Sequence, residues 1–151
     1  MSNKPEWNPN AKEESLEKYA AWLNNLARRA FVENGGYPDS CFLITEDGRI
    51  MGYVLSEEEK AEEVVARESE EIKPFGTIEI MIKPVYHPKL YSQYLRLIEE
   101  TDIPKDLIRD CLLTRMNSRN GPEKIWASFI LGERESARLS DCFVTHPKIL
   151  T

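Results

Sequence analysis

One tight hairpin signal constrains this chain more than any other feature. Residues 41–45 and 49–55 are strand-like runs set around Glu46-Asp47-Gly48-Arg49. Asp-Gly accepts the positive φ angles of a two-residue type I′ turn, whose twist matches that of paired strands, so the spacing predicts a tight β-hairpin. Both faces of the hairpin are apolar. Phe42 and Ile44 alternate with Cys41 and Leu43, and Met51, Tyr53 and Leu55 alternate with Ile50 and Val54. Such a hairpin needs cover on both sides, from helices above and below or from a partner subunit.

The flanking segments supply helices. Leu16, Tyr19, Ala20, Leu23, Leu26, Ala27, Ala30 and Phe31 recur at three- and four-residue spacing, which defines one apolar stripe. Asn10 is the expected cap of this helix, with Glu13 reaching back to it, and Gly35-Gly36 stops it. Ser56 with Glu59 forms a second capping box and opens an expected helix over 57–72, with Ala61, Val64, Val65 and Ile72 inward. Residues 75–83 alternate, with Ile78, Ile80 and Ile82 on one face and Thr77, Glu79, Met81 and Lys83 on a wet one.

Further along, the spacing predicts helices over 89–100 and 104–118, the latter with Leu107, Ile108, Cys111, Leu112 and Met116 inside. Residues 124–131 read as a strand, 133–139 as one or two helical turns and 142–145 as a short edge strand. The order α-β-β-α-β-α-α-β implies an α+β fold, an antiparallel or mixed sheet of about four to five strands with helices packed on it. Residues 1–9 read as a polar tail and 10–151 as a single domain, which suits a chain of 151 residues.

Charge narrows the function classes. The net charge is −6. Residues 1–83 carry 10 Lys/Arg against 17 Asp/Glu, a net of −7, while residues 84–151 carry 10 against 9, a net of +1. Nucleic-acid affinity rests on clustered cations that neutralise phosphates, so the acidic first half argues against a general nucleic-acid binder. On a helix over 104–118, Arg115 and Arg119 stand one turn apart, balanced by Asp106 and Asp110.

The first 14 residues are polar, without the apolar core of a secretory signal, and no stretch reaches the roughly 20 apolar residues of a membrane helix. Cys41, Cys111 and Cys142 form no Cys-x-x-Cys pair, so a zinc ribbon or thioredoxin-like motif is excluded. Buried free thiols in a reducing cytosol are the expectation, and with it a cytoplasmic location.

The motifs of familiar chemistry are missing. His87 and His146, the two histidines, share no zinc-protease spacing, and each precedes a proline. No Gly-x-Ser-x-Gly elbow, Walker-type loop or dinucleotide fingerprint occurs, so no metal and no cofactor is expected. The acidic residues of 57–72 read as a solvated helix face. What remains is Tyr86, His87, Tyr91 and Tyr94, with Trp126 on the sheet, aromatics with polar tips that suit an interface or a pocket as well as a core.

The expectation is therefore a non-catalytic protein-interaction or regulatory module, a homo-oligomer or the subunit of an assembly, with Tyr86, His87, Tyr91 and Arg115 as binding candidates. The alternative is an enzyme or small-ligand binder near the 86–94 segment, where His87, Tyr86, Cys41, Cys142 and Arg115 would be the residues to test.

Overall fold

The computed structural model describes residues 3–84, 108–119, 121, 123–131, 138–140 and 142–145. Helix α1 (Lys12–Asn34) leads into strands β1 (Ser40–Ile44) and β2 (Ile50–Val54), helix α2 (Ala61–Ile72) and strand β3 (Gly76–Pro84). Strands β4 (Ile108–Ser118), β5 (Lys124–Leu131), β6 (Arg138–Leu139) and β7 (Phe143–Thr145) complete the described elements. All strand pairs are antiparallel, in the order β2-β1-β3-β4-β5-β6, and β7 also pairs with β5. The α+β class is as expected, with six strands along the path and a short seventh where four to five were expected.

Register divides the side chains into two layers, because directly paired residues share a face. One face carries Ile44, Ile78, Ile80, Leu112, Met116 and Trp126, all buried against the α1 stripe of Leu16, Tyr19, Ala20, Leu23, Ala27 and Phe31. The opposite face carries Cys41, Leu43, Cys111, Leu113, Ile125 and Phe129, also buried. On that side α2 packs against β1 and contributes Val64. Strand β1 is thus covered on both faces, as the hairpin pattern required, whereas β2 lies at the sheet's edge.

The largest correction is β4. The apolar positions at 108, 111, 112 and 116 fit a helical stripe, yet Ile108–Ser118 is a strand paired along its length with β3 and β5. The stripe omitted Leu113 and Thr114, and both are buried. An interior strand buried on both faces reads as a continuous apolar run, which periodicity alone cannot tell from a buried helix. The element order therefore reads α-β-β-α-β-β-β-β-β across the described residues. The expected helix over 89–100 lies outside them, as does most of 133–139, of which Arg138 and Leu139 form a strand.

Local chemistry explains smaller differences. Asn10 caps nothing. Instead Asn8 turns the chain about Pro9, its carbonyl accepting from the Ala11 N–H at 3.0 Å while the Ser15 hydroxyl accepts from the Asn8 N–H at 2.9 Å. At the other end Gly35 adopts φ 74 and donates to Phe31, the expected left-handed stop. Glu59 does reach back to the Ser56 N–H, at 3.4 Å. That contact closes a separate turn, and α2 starts only at Ala61.

The hairpin loop is one residue longer than a type I′ turn. Thr45 and Arg49 close it through Thr45 N–H to Arg49 carbonyl, and Gly48 N–H donates back to the Thr45 carbonyl. Only Gly48 takes a positive φ, 83°, so Glu46-Asp47-Gly48 is a three-residue loop with glycine at its left-handed position. Glycine is also required sterically. A Cβ at Gly48 would collide with the Trp7 side chain. Trp7 packs on Tyr19 and Phe75 and donates its indole N–H to the Glu46 carbonyl, while the Tyr19 hydroxyl donates to the Gly48 carbonyl. Glu46 in turn is held by Lys12 and Arg119. The loop that starts β2 is therefore fixed from three directions.

Candidate functional site

The α2 face of the sheet carries a row of unlike side chains. Register aligns Tyr53, Cys41, Glu79, Arg115 and Ile125 across β2, β1, β3, β4 and β5. Two members of the row, Glu79 and Arg115, line a cleft of about 380 Å³ bounded by α2 and the ends of β1 and β3, with Asp39, Glu62, Lys60 and Lys83 on its walls. Glu79 is the least comfortable member. Burial raises its carboxyl above the ordinary value and Glu62 and Glu123 add to the rise, while Arg115 opposes it. The Arg115 guanidinium donates through Nε to the Glu123 carboxylate, a hydrogen bond that raises its own pKa.

Reactivity is low here. Burial, with Glu79 adding, pushes the Cys41 thiol up to about 12, so the thiolate that a nucleophile needs is scarce at neutral pH. Burial does the same to Cys111, also to about 12. Cys142 is half-buried on the α1 side, where its sulfur accepts from Asn24 Nδ2 at 3.4 Å. Asn24 Oδ1 accepts from Thr114 at 2.8 Å, and Arg28 donates to Ser128 and to the Ser140 carbonyl. These bonds satisfy buried polar groups that fasten α1 to β4 and β5, which is a structural use. Among the described residues no group of three or more His, Cys, Asp or Glu side chains could hold a metal ion.

Of the sequence candidates, Arg115 lies among the described residues, paired with Glu79 across β3 and β4. Arg119 lies beyond the end of that strand and grips Glu46 and the carbonyls of Lys73 and Pro74, so the two arginines form no basic face. Tyr86, His87, Tyr91, Tyr94 and His146 lie outside the described residues. The Glu79–Arg115 opposition was hidden in the sequence, because it exists only once 108–118 is a strand in register with β3.

The second feature is the edge of the sheet. Among the described residues β2 pairs only with β1. Hydrogen bonds from Thr45 to Arg49 and from Leu55 to Asp39 bracket this ladder. Alternation between them places Met51 and Tyr53 in hydrogen-bonded pairs with β1, and turns the N–H and C=O of Ile50, Gly52 and Val54 outward. The strand Ile-Met-Gly-Tyr-Val contains no charge and no proline, the residues by which natural edge strands discourage pairing. Met51 is 41% exposed and Val54 69%.

No family model matches the chain, and no curated protein or solved structure matches it either. Among the described residues no helix is long and apolar enough to cross a membrane.

Proposed function

We propose that this protein is a non-catalytic interaction or regulatory module that self-associates through the β2 edge, which among the described residues pairs only with β1. The observation that carries the reading is the strand itself: five uncharged residues, the backbone groups of Ile50, Gly52 and Val54 turned outward, and exposed Met51 and Val54. Edge strands of this kind offer affinity through main-chain hydrogen bonds and specificity through alternate side chains. Supporting it from the other side, the two buried thiols are suppressed and Arg115 is already paired with Glu123. The buried thiols of Cys41 and Cys111 fit a reducing, cytoplasmic setting.

Strand pairing alone covers less than the roughly 1,200 Å² of a standard stable interface, so the expected dimer is weak and concentration-dependent. Sedimentation velocity across a dilution series tests the reading. A shift from monomer to dimer between about 1 and 100 µM, the range of weak association, supports it. A monomer throughout refutes self-association.

A second reading, small-ligand binding, is favoured by the cleft beside Glu79, where a half-buried carboxyl with a raised pKa faces a guanidinium. Sites with groups perturbed by burial and a specific charge partner are enriched in ligand contacts. Backbone NMR titration with small carboxylic and amino acids tests it. Saturable shifts at Glu79 and Arg115 that Glu79→Gln abolishes would favour this reading.

A further inference from the structure

We infer that β2 pairs antiparallel with β2 of a second copy about a two-fold axis through Gly52, joining two sheets into one. The inference rests on the self-association proposed above and supplies its geometry. In an antiparallel pair the residues that exchange hydrogen bonds are those whose backbone groups point outward, here Ile50, Gly52 and Val54. A two-fold axis at Gly52 sets Ile50 against the partner's Val54, Gly52 against the partner's Gly52, and Val54 against the partner's Ile50. All five residues of the strand are then paired. An axis at Met51 or Tyr53 pairs only three.

The side chains agree with that register. Val54, the most exposed large apolar residue of the described chain, is covered by the partner's Ile50. On the α2 side Met51 meets the partner's Tyr53, a sulfur–aromatic pair that covers both. Gly52 is without a side chain where the two backbones cross the axis, and within the chain it already leaves room for the Phe42 ring, which lies 3.1 Å from where its Cβ would be.

Charge favours the antiparallel arrangement over the parallel one. At the turn end of β2, Glu46 and Asp47 stand with Lys12, Arg119 and Arg49, giving a net of +1. At the other end Glu57, Glu58, Glu59 and Glu68 stand with Lys60 and Arg67, giving a net of −2. Antiparallel pairing lays each end against its opposite twice, while parallel pairing would set like against like. A closed two-fold dimer is also the commonest symmetry of self-associating proteins. Pairing occupies the β2 edge of both copies, so assembly through this surface stops at two copies.

Cysteine crosslinking reads the register directly. In the inferred dimer the two copies of residue 52 lie about 5.5 Å apart, Cα to Cα, inside the range a disulfide bridges. The two copies of residue 54 lie about 14 Å apart, four residues along and one strand across, and cannot be bridged. Under mild oxidation Gly52→Cys should therefore form a covalent dimer at least tenfold faster than Val54→Cys. A mixture of Ile50→Cys and Val54→Cys proteins should crosslink where neither does alone, which keeps the test open if the Phe42 ring refuses a side chain at position 52. Sedimentation of the parent protein accompanies both. Crosslinks at 52, or between 50 and 54, support the register. A parent dimer in which Val54→Cys crosslinks alone overturns the register and leaves self-association standing. A parent monomer with no crosslink from any variant overturns both.

Discussion

Gly48→Ala measures how firmly the turn before β2 is anchored. Two costs act together. Gly48 has φ 83, and placing a Cβ in the left-handed region costs roughly 1 kcal/mol. The new methyl also overlaps the Trp7 side chain, so the indole must leave. Its departure breaks ring contacts with Tyr19 and Phe75, at centroid separations of 5.3 and 5.9 Å, and the 3.0 Å bond to the Glu46 carbonyl. Each aromatic pair contributes about 0.5–1.5 kcal/mol and the hydrogen bond about 1 kcal/mol. The sum for Gly48→Ala is about 3–5 kcal/mol. In a Trp7→Ala background the steric part has already been lost, and the same substitution should cost only about 1 kcal/mol for its backbone angle. Urea unfolding followed by far-UV circular dichroism gives the four stabilities of the cycle. The expected coupling is about 2 kcal/mol or more. Additivity within about 0.5 kcal/mol would refute the claim that Trp7 is what Gly48 accommodates.

Three further outcomes follow from the same geometry. Thr114→Val removes the donor to Asn24 Oδ1 inside the α1 interface and should destabilise by about 1–3 kcal/mol in urea unfolding, the cost of a buried unpaired acceptor. Glu79 is raised in the folded state, so the fold binds its proton more tightly than the unfolded chain does, and stability falls as pH rises from the ordinary glutamate value through the raised one. Glu79→Gln should flatten that fall in unfolding measured from pH 4 to 8, and an unchanged slope would contradict the burial argument. In native-state alkylation followed by intact mass, Cys142 should react first, with Cys41 and Cys111 protected by burial and pKa values near 12.

What could be read from the sequence was what local chemistry dictates. The α1 stripe from Leu16 to Phe31, its glycine stop, the hairpin and the alternation of Ile78 and Ile80 each depend on neighbours within a few residues, and each is present in the fold. Strand β4 depends on what lies beside it. Cys111-Leu112-Leu113-Thr114 is apolar enough for either a helix or an interior strand, and only pairing with both β3 and β5 selects the strand. The row from Cys41 through Glu79 to Arg115 inherited that ambiguity, because its members come from three segments that register alone brings together. The β2 edge was half legible. Its apolar faces were plain in the sequence, and its exposure became visible once β3 was seen to take the other side of β1.

Amide hydrogen exchange resolved by residue, recorded in dilute and in concentrated protein, tests self-pairing at β2 most directly. The amides of Met51 and Tyr53 face β1 and should be protected at both concentrations. Those of Ile50, Gly52 and Val54 should exchange freely when dilute and slow by tenfold or more as the dimer fills. Unchanged exchange at these three positions, while the concentrated protein is a dimer by sedimentation, would place the interface elsewhere and contradict the account.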